Sequence, residues 1–253
     1  MRRWDRPLPP LVAAIAIILA GEVIVRGLSI PSSLLPTPTA VAQSLVRDRE
    51  VLVPAILETA AASATGFALS AVLGVGLAVV LASSRFLQRA VYPYTVLLQT
   101  VPLIAIAPMM VIWLGLGYRT AAGSAFIASV FPILANTLTG LLSTDPALRD
   151  LFRLYGASRT QRLFKLMLPA ALPSMFTGLR IAAGLAVIGS IVGEFIGGGG
   201  IGLAVQMAQR NQNTPTVFAA VVLASLLGIA MFLLVNLAAH FSLRHWHASE
   251  QEA

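Results

Sequence analysis

Residues 145–169 read DPALRDLFRLYGASRTQRLFKLMLP, a charged insert in a chain that is otherwise almost wholly apolar. The insert holds five of the 17 lysine and arginine residues, including the single lysine, Lys165. Asp145 followed by Pro146 marks a helix start, an acidic N-cap before proline at the first helical position. Leu148, Leu151, Phe152 and Tyr155 then share one face, at spacings of three and four. Arg149, Asp150 and Arg153 fall off that stripe. Gly156 stands where a glycine C-cap ends a helix. Ser158 caps a second short helix in which Arg159, Arg162 and Lys165 recur every third residue, opposed by Leu163, Phe164, Leu166 and Met167. Pro169 and Pro173 bracket the return to apolar sequence. The spacing predicts a helix–turn–helix with an aromatic ridge and a basic flank. A basic flank alone would rest on anionic headgroups. An aromatic ridge beside arginine has the composition of a protein interface core.

Outward from the insert, composition sets the solvent. The 253 residues are 57% hydrophobic and 11% charged, with mean hydropathy +0.85. Soluble domains carry roughly 25% charged residues, so this is an integral membrane protein. Apolar runs recur near 8–25, 60–81, 91–114, 121–142, 173–196 and 216–239. Each is close to the ~20 residues that cross a bilayer core as a helix. The expectation is an all-α, polytopic single domain over 1–253 with six transmembrane helices. The first run follows Met1-Arg2-Arg3-Trp4-Asp5-Arg6, which is like the start of a signal peptide. No clear small-x-small site follows and five more spans come after it, so it reads as a retained first helix.

Loop charges give the orientation. With the N-terminus inside, the inner side receives Arg2, Arg3, Arg6, Arg85, Arg89, the five cations of the insert, and Arg244. The outer side receives Arg26, Arg47, Arg49, Arg119 and Arg210. That is eleven against five, with Arg180 inside a span, so both termini are expected in the cytoplasm. The net charge of +7 then follows from this bias and calls for no nucleic-acid partner. The lack of cysteine excludes disulfides, thiolate metal sites and cysteine nucleophiles.

Between the first two spans, Thr39 is expected to cap a short amphipathic helix with Val41, Leu45 and Val46 as its apolar residues. Pro93, Pro102 and Pro108 lie on the third span and Pro132 on the fourth. They mark either kinks in a packed bundle or helices that line a translocation path. Gly66, Gly74 and Gly76, and Ala182, Ala183, Gly184, Ala186 and Gly189, are small residues that let helices approach. Among polar residues in or near the spans, Arg180 is expected to snorkel inward, and Glu22 to sit at the outer interface. Gln99, Asn136 and Glu194 are the candidates for the pathway or its outer gate. His240, His245 and His247 are too weakly arranged for a metal site, and none is expected.

Gly156, nine residues, then Leu166-Met167-Leu168-Pro169 resembles the EAA loop of binding-protein-dependent ABC importer permeases. Asp150-Leu151-Phe152 stands where that family has Glu-Ala-Ala, so the acid is kept and the small residues are not. The stretch YGASRTQRLFKLMLPAALPSMFTGLRIAAGLAVIGSIVGEFI, with VPLIAIAPMMVIWLGLG at 101–117, is similar to the nitrate, sulfonate and taurine branch. FPILANTLTGL and DLFRLYGAS look closer to its riboflavin and pyrimidine-precursor members. The resemblance covers roughly 60–239.

It implies the type I ABC importer permease fold in a bacterial inner membrane. Two permeases, as a homodimer or a pair, would each dock the loop on one of two cytoplasmic ABC ATPase subunits carrying ATP-Mg. An extracytoplasmic binding protein would deliver the solute. Asp150, Leu151, Phe152, Tyr155, Gly156, Ala157, Ser158, Arg159, Leu168 and Pro169 would form the coupling element. No G-x-x-x-x-G-K-[ST] occurs, and Gly197–Gly200 lacks the lysine, so no catalytic residue or bound cofactor is expected in this chain. A secondary transporter would need several buried acids, and Glu194 is the one candidate. A membrane enzyme would need clustered His, Asp, Glu or Lys.

Overall fold

The computed structural model describes residues 8–100 and 102–243. Arg2, Arg3, Arg6, Arg244, His245 and His247 lie outside them, as do the side chains of Arg85 and Gln99. The described residues are helical, with no strand among them. In chain order the helices are α1 (Leu8–Gly27), α2 (Pro38–Arg47), α3 (Arg49–Ser83), α4 (Arg85–Thr100), α5 (Leu103–Leu114) and α6 (Tyr118–Leu142). α7 (Pro146–Leu154), α8 (Arg159–Arg162), a π turn (Leu163–Met167), α9 (Leu168–Gly197), α10 (Gly200–Arg210) and α11 (Thr214–Leu243) follow. Among the described residues, four helical stretches are long and apolar enough to cross a membrane: Arg49–Ser83, Tyr118–Leu142, Arg159–Gly197 and Thr214–Leu243. α1 adds 20 residues that are apolar but for Glu22 and Arg26.

α6 is the axle of the bundle, packed between α3 and α9. Lipid tails are as apolar as leucine, so helices in a membrane associate by close packing and hydrogen bonds. A Cβ on Gly66 of α3 would lie 2.5 Å from both Ala122 O and Ala125 Cβ of α6. Gly178, Gly189 and Gly193 bring α9 equally close to α6 from the other side. Ser129 Oγ donates to Ser70 Oγ at 2.7 Å, and Ser70 Oγ to Phe126 O at 2.9 Å, which ties α3 to α6. Gly76 and Gly184 behave otherwise: each faces open space, so neither brings two helices together.

Three sequence expectations change. The third span, 91–114, is not one helix: α4 stops at Thr100 and α5 resumes at Leu103 after Pro102. Proline has no N–H to give the ladder. Pro93, Pro108 and Pro132 stay inside helices. The cap of α2 is Thr37, whose Oγ1 accepts from Ala40 N at 3.2 Å, with Pro38 as the first helical residue. Thr39 binds Glu22 instead, through its N at 3.0 Å and its Oγ1 at 2.8 Å, and so holds α1 to α2. Arg180 does not simply reach for the surface; its Nε donates to Asn236 Oδ1 of α11 at 2.6 Å.

The alternating helices put the start of α3, the start of α6, the end of α9 and the start of α11 at one end. There Gly117 N donates to Gly197 O at 2.8 Å and Thr216 Oγ1 to Asp48 Oδ2 at 2.5 Å. The charged insert lies at the opposite end, where Arg149 Nη2 donates to Leu141 O and Leu142 O, both at 2.9 Å.

Candidate functional site

The insert folds as two capped helices in sequence. Asp145 Oδ1 accepts from Ala147 N at 2.8 Å, and Pro146 opens α7. Such a cap stabilises a helix by about 1 kcal/mol. Gly156, at φ 71°, turns the chain in the left-handed region. Gly156 N donates to Arg153 O and Ala157 N to Phe152 O, both at 2.9 Å. This nested pair satisfies the carbonyls that a helix end leaves open. Ser158 then forms a capping box: its Oγ accepts from Gln161 N at 3.2 Å, while Gln161 Oε1 accepts from Ser158 N at 2.8 Å.

α8 does not stop before Pro169, as a loop would. It runs through the π turn straight into α9, giving one helical stretch from Arg159 to Gly197. Leu168 and Pro169 are the first residues of α9. The widened turn falls just before a residue that would crowd and break an ordinary ladder.

These caps hold an apolar surface away from the chain. Tyr155 is 83% exposed and Leu154 85%, with Leu148 and Leu151 also exposed on α7. Phe152 is half-buried and, with Leu151, Tyr155, Ala157, Gln161 and Lys165, lines a notch of about 270 Å³ between the two helices. Asp150 pairs with Arg153 at 3.0 Å on the exposed surface, a bond worth little there. Arg159 and Ser158 lie at the exposed start of α8. Leu154, which the spacing rule left out, is the most exposed large apolar residue among those described. Nothing in this group pairs a nucleophile with a base, and the arrangement suits docking rather than bond making.

At the other end, Glu194 is buried and belongs to a cluster that the sequence did not suggest. The first three N–H groups of α10 each meet a side chain. Gly200 N donates to Glu58 Oε2, Ile201 N to Thr59 Oγ1, and Gly202 N to Glu194 Oε2, all at 2.9 Å. Ser190 Oγ donates to Glu194 Oε1 at 3.3 Å. Two carboxylates at a helix N-terminus complement its partial positive charge. The turn before it runs through Gly198, Gly199 and Gly200 at φ 79°, 94° and 52°. A Cβ on Gly200 would overlap the Glu194 carboxylate, so only glycine admits that acid so close. Glu58 and Thr59 come from α3, hence the cluster pins three helices together.

The remaining candidates separate. Asn136 Nδ2 donates to Pro132 O at 2.9 Å within its own helix, and its Cβ lies against Gly178 of α9. It therefore stands, half-buried, at the α6–α9 contact. Gln99 is carried on α4, with its side chain beyond what the structure describes.

Residues 49–245 match the family described as binding-protein-dependent transport system inner membrane component. The chain is 37% identical to the formylaminopyrimidine transport permease protein ThiX of Halalkalibacterium halodurans, over 92% of this chain and 93% of that one. It is 30% identical to the riboflavin transport system permease protein RibX of Chloroflexus aurantiacus, over 98% and 94%. Among solved structures, a methionine ABC transporter, MetNI, in an inward-facing conformation superposes with a TM-score of 0.67 at 21% identity. That match covers 75% of this chain and 95% of the other.

Proposed function

Because the chain belongs to the family of binding-protein-dependent transport inner membrane components, we propose that residues 145–169 dock it onto its ATPase. Members of this family are permease subunits of ABC importers, with ATP hydrolysis on a separate subunit and solute supplied by a binding protein. The chain is such a multi-pass permease subunit. The carrying observation is the exposed Leu151–Leu154–Tyr155 ridge, held by a cap at each end of α7. An interface of this kind gains most of its energy from a few aromatic and arginine anchors. Tyr155 is the anchor, Phe152 the floor of the notch beside it, and Gly156 the turn that presents both.

In the same reading the insert and both termini face the cytoplasm, two copies of the chain pair around the path, and the α10 cluster closes the outer end. The cargo is a riboflavin-like or pyrimidine-type vitamin precursor, supported by the names of ThiX and RibX; sulfonate, taurine, nitrate and bicarbonate come next. Tyr155→Asp and Gly156→Pro test the docking role. Both should insert in the membrane at normal levels, yet lose ATPase co-purification and uptake. Normal co-purification and uptake in both would overturn the assignment. Binding of the candidate solutes to the partner binding protein decides the cargo.

A further inference from the structure

Beside the insert, distinct from the notch, lies a cleft of about 670 Å³ between the α3–α4 turn and the start of α8. Arg149, Arg153, Arg159 and Arg162 line it, with Ser83 and Ser84 across from them. No acidic residue is among the described residues that line it. Asp150 is nearby, but it is spent on the exposed pair with Arg153. Arg149 and Arg162 each keep a buried Nε that no described residue accepts from. A buried donor on a charged group costs stability unless an acceptor meets it. Arg149, Arg159 and Arg162 thus form no ion pair with a carboxylate among the described residues; three such guanidiniums call for an anion, and their planar forks suit phosphate oxygens.

Position and floor say which anion. α3 ends at Ser83 and α6 at Leu142, so the cleft opens where the apolar spans stop. Ala82, Leu163 and Met167 make its floor apolar. A site with a cationic rim at that depth and an apolar floor fits a headgroup with the start of its acyl chains. We infer that this cleft holds the phosphate of an anionic phospholipid, seated between the α3–α4 turn and the docking insert. The lipid would brace the base of α8 from the bilayer side while the ridge of α7 faces a protein. The inference rests on the membrane placement proposed above, and the test is made in detergent so that it stands apart from docking.

The purified full-length chain, delipidated and then titrated with phosphatidylglycerol or phosphatidylcholine, is examined by native mass spectrometry. Phosphatidylglycerol should be retained at least about tenfold better than phosphatidylcholine, given the attraction of several arginines for an anionic headgroup. Arg159→Gln with Arg162→Gln should abolish that preference, the two lysine replacements should restore much of it, and Arg89→Gln should leave it intact. Unchanged thermal unfolding of the glutamine variant without lipid guards against simple misfolding. Equal retention of the two lipids, or an unchanged preference in the glutamine variant, would overturn the inference. Displacement of the lipid by millimolar inorganic phosphate would also overturn it and make this a soluble-anion site. Loss of the bound lipid when the ATPase subunit is added would show that the arginines serve protein acids instead.

Discussion

Glu194 and Gly200 should be coupled, and the coupling can be measured. Glu194→Ala removes the acceptor of Gly202 N–H and leaves that donor buried without a partner, a loss of about 2.5 kcal/mol. Gly200→Ala asks alanine to hold φ 52°. That conformation costs roughly 1–2 kcal/mol, and driving a methyl group into the Glu194 carboxylate adds about 2 kcal/mol of overpacking. Independent effects would total about 6 kcal/mol, yet in the double variant the carboxylate is gone and the overlap with it. The double variant should therefore lose only about 4 kcal/mol, a rescue of about 2 kcal/mol. For a chain of this size 1 kcal/mol moves the melting temperature by ~2–4 °C, so the double variant should melt about 4–8 °C above the additive expectation. The assay is thermal unfolding of purified protein in a fixed detergent, followed by circular dichroism. Additivity within about 0.5 kcal/mol would refute the contact between the two residues.

Two glycines of α3 should part company. Gly66→Ala should destabilise by about 1–3 kcal/mol through overpacking against α6, while Gly76→Ala should be neutral or stabilise by roughly 0.5–1 kcal/mol; the same melting assay compares them. Ser158→Ala removes the capping box, and about 1 kcal/mol of local stability with it. Faster hydrogen exchange at residues 159–162 would show it. Asp48 supplies a pH dependence: its hydrogen bond from Arg47 holds the carboxyl below its usual value, against the cost of burial, and Thr216 adds to the shift. A depressed folded value contributes stability above the ordinary carboxylate value of about 3.9 and loses it as pH falls through the folded value. Asp48→Asn should therefore flatten part of the fall in melting temperature in that acidic window. The cost of the variant at neutral pH should stay under about 1 kcal/mol, since Arg47 is largely in water.

Local chemistry was legible and distant chemistry was not. The Asp145 cap, the Gly156 turn and the Ser158 cap are each set by atoms no more than five residues apart, so a short window contains their cause. Thr37 over Thr39 was within reach of the same logic, because Pro38 at the first helical position leaves the cap to the residue before it. Hydropathy counted the run 91–114 as one span because it weighs side chains and is blind to the donor that Pro102 lacks. Gly66 and Gly76 differ in nothing that composition records; only the neighbour across the gap separates them. Glu194 stood out as a buried acid, but its companion Glu58 meets Gly200 across 142 residues of chain. Even so, Glu58 sat just ahead of an apolar run. The helix beginning at Arg49, rather than at the run itself, is what carries it into the cluster.

The unbroken stretch from Arg159 to Gly197 has a mechanical consequence. Its 39 residues make a rod about 58 Å long at 1.5 Å per residue. One tip is rooted in the charged insert, and the other carries Glu194 and the glycine turn. A pivot at one tip that tilts such a rod by about 5° sweeps the other through roughly 5 Å, about one helical turn. If a subunit docks on the insert as proposed, its push needs no relay of switching side chains to be felt at the far end of the rod. It needs a lever stiff enough not to bend, and the π turn just before Pro169 is where its stiffness would first be tested.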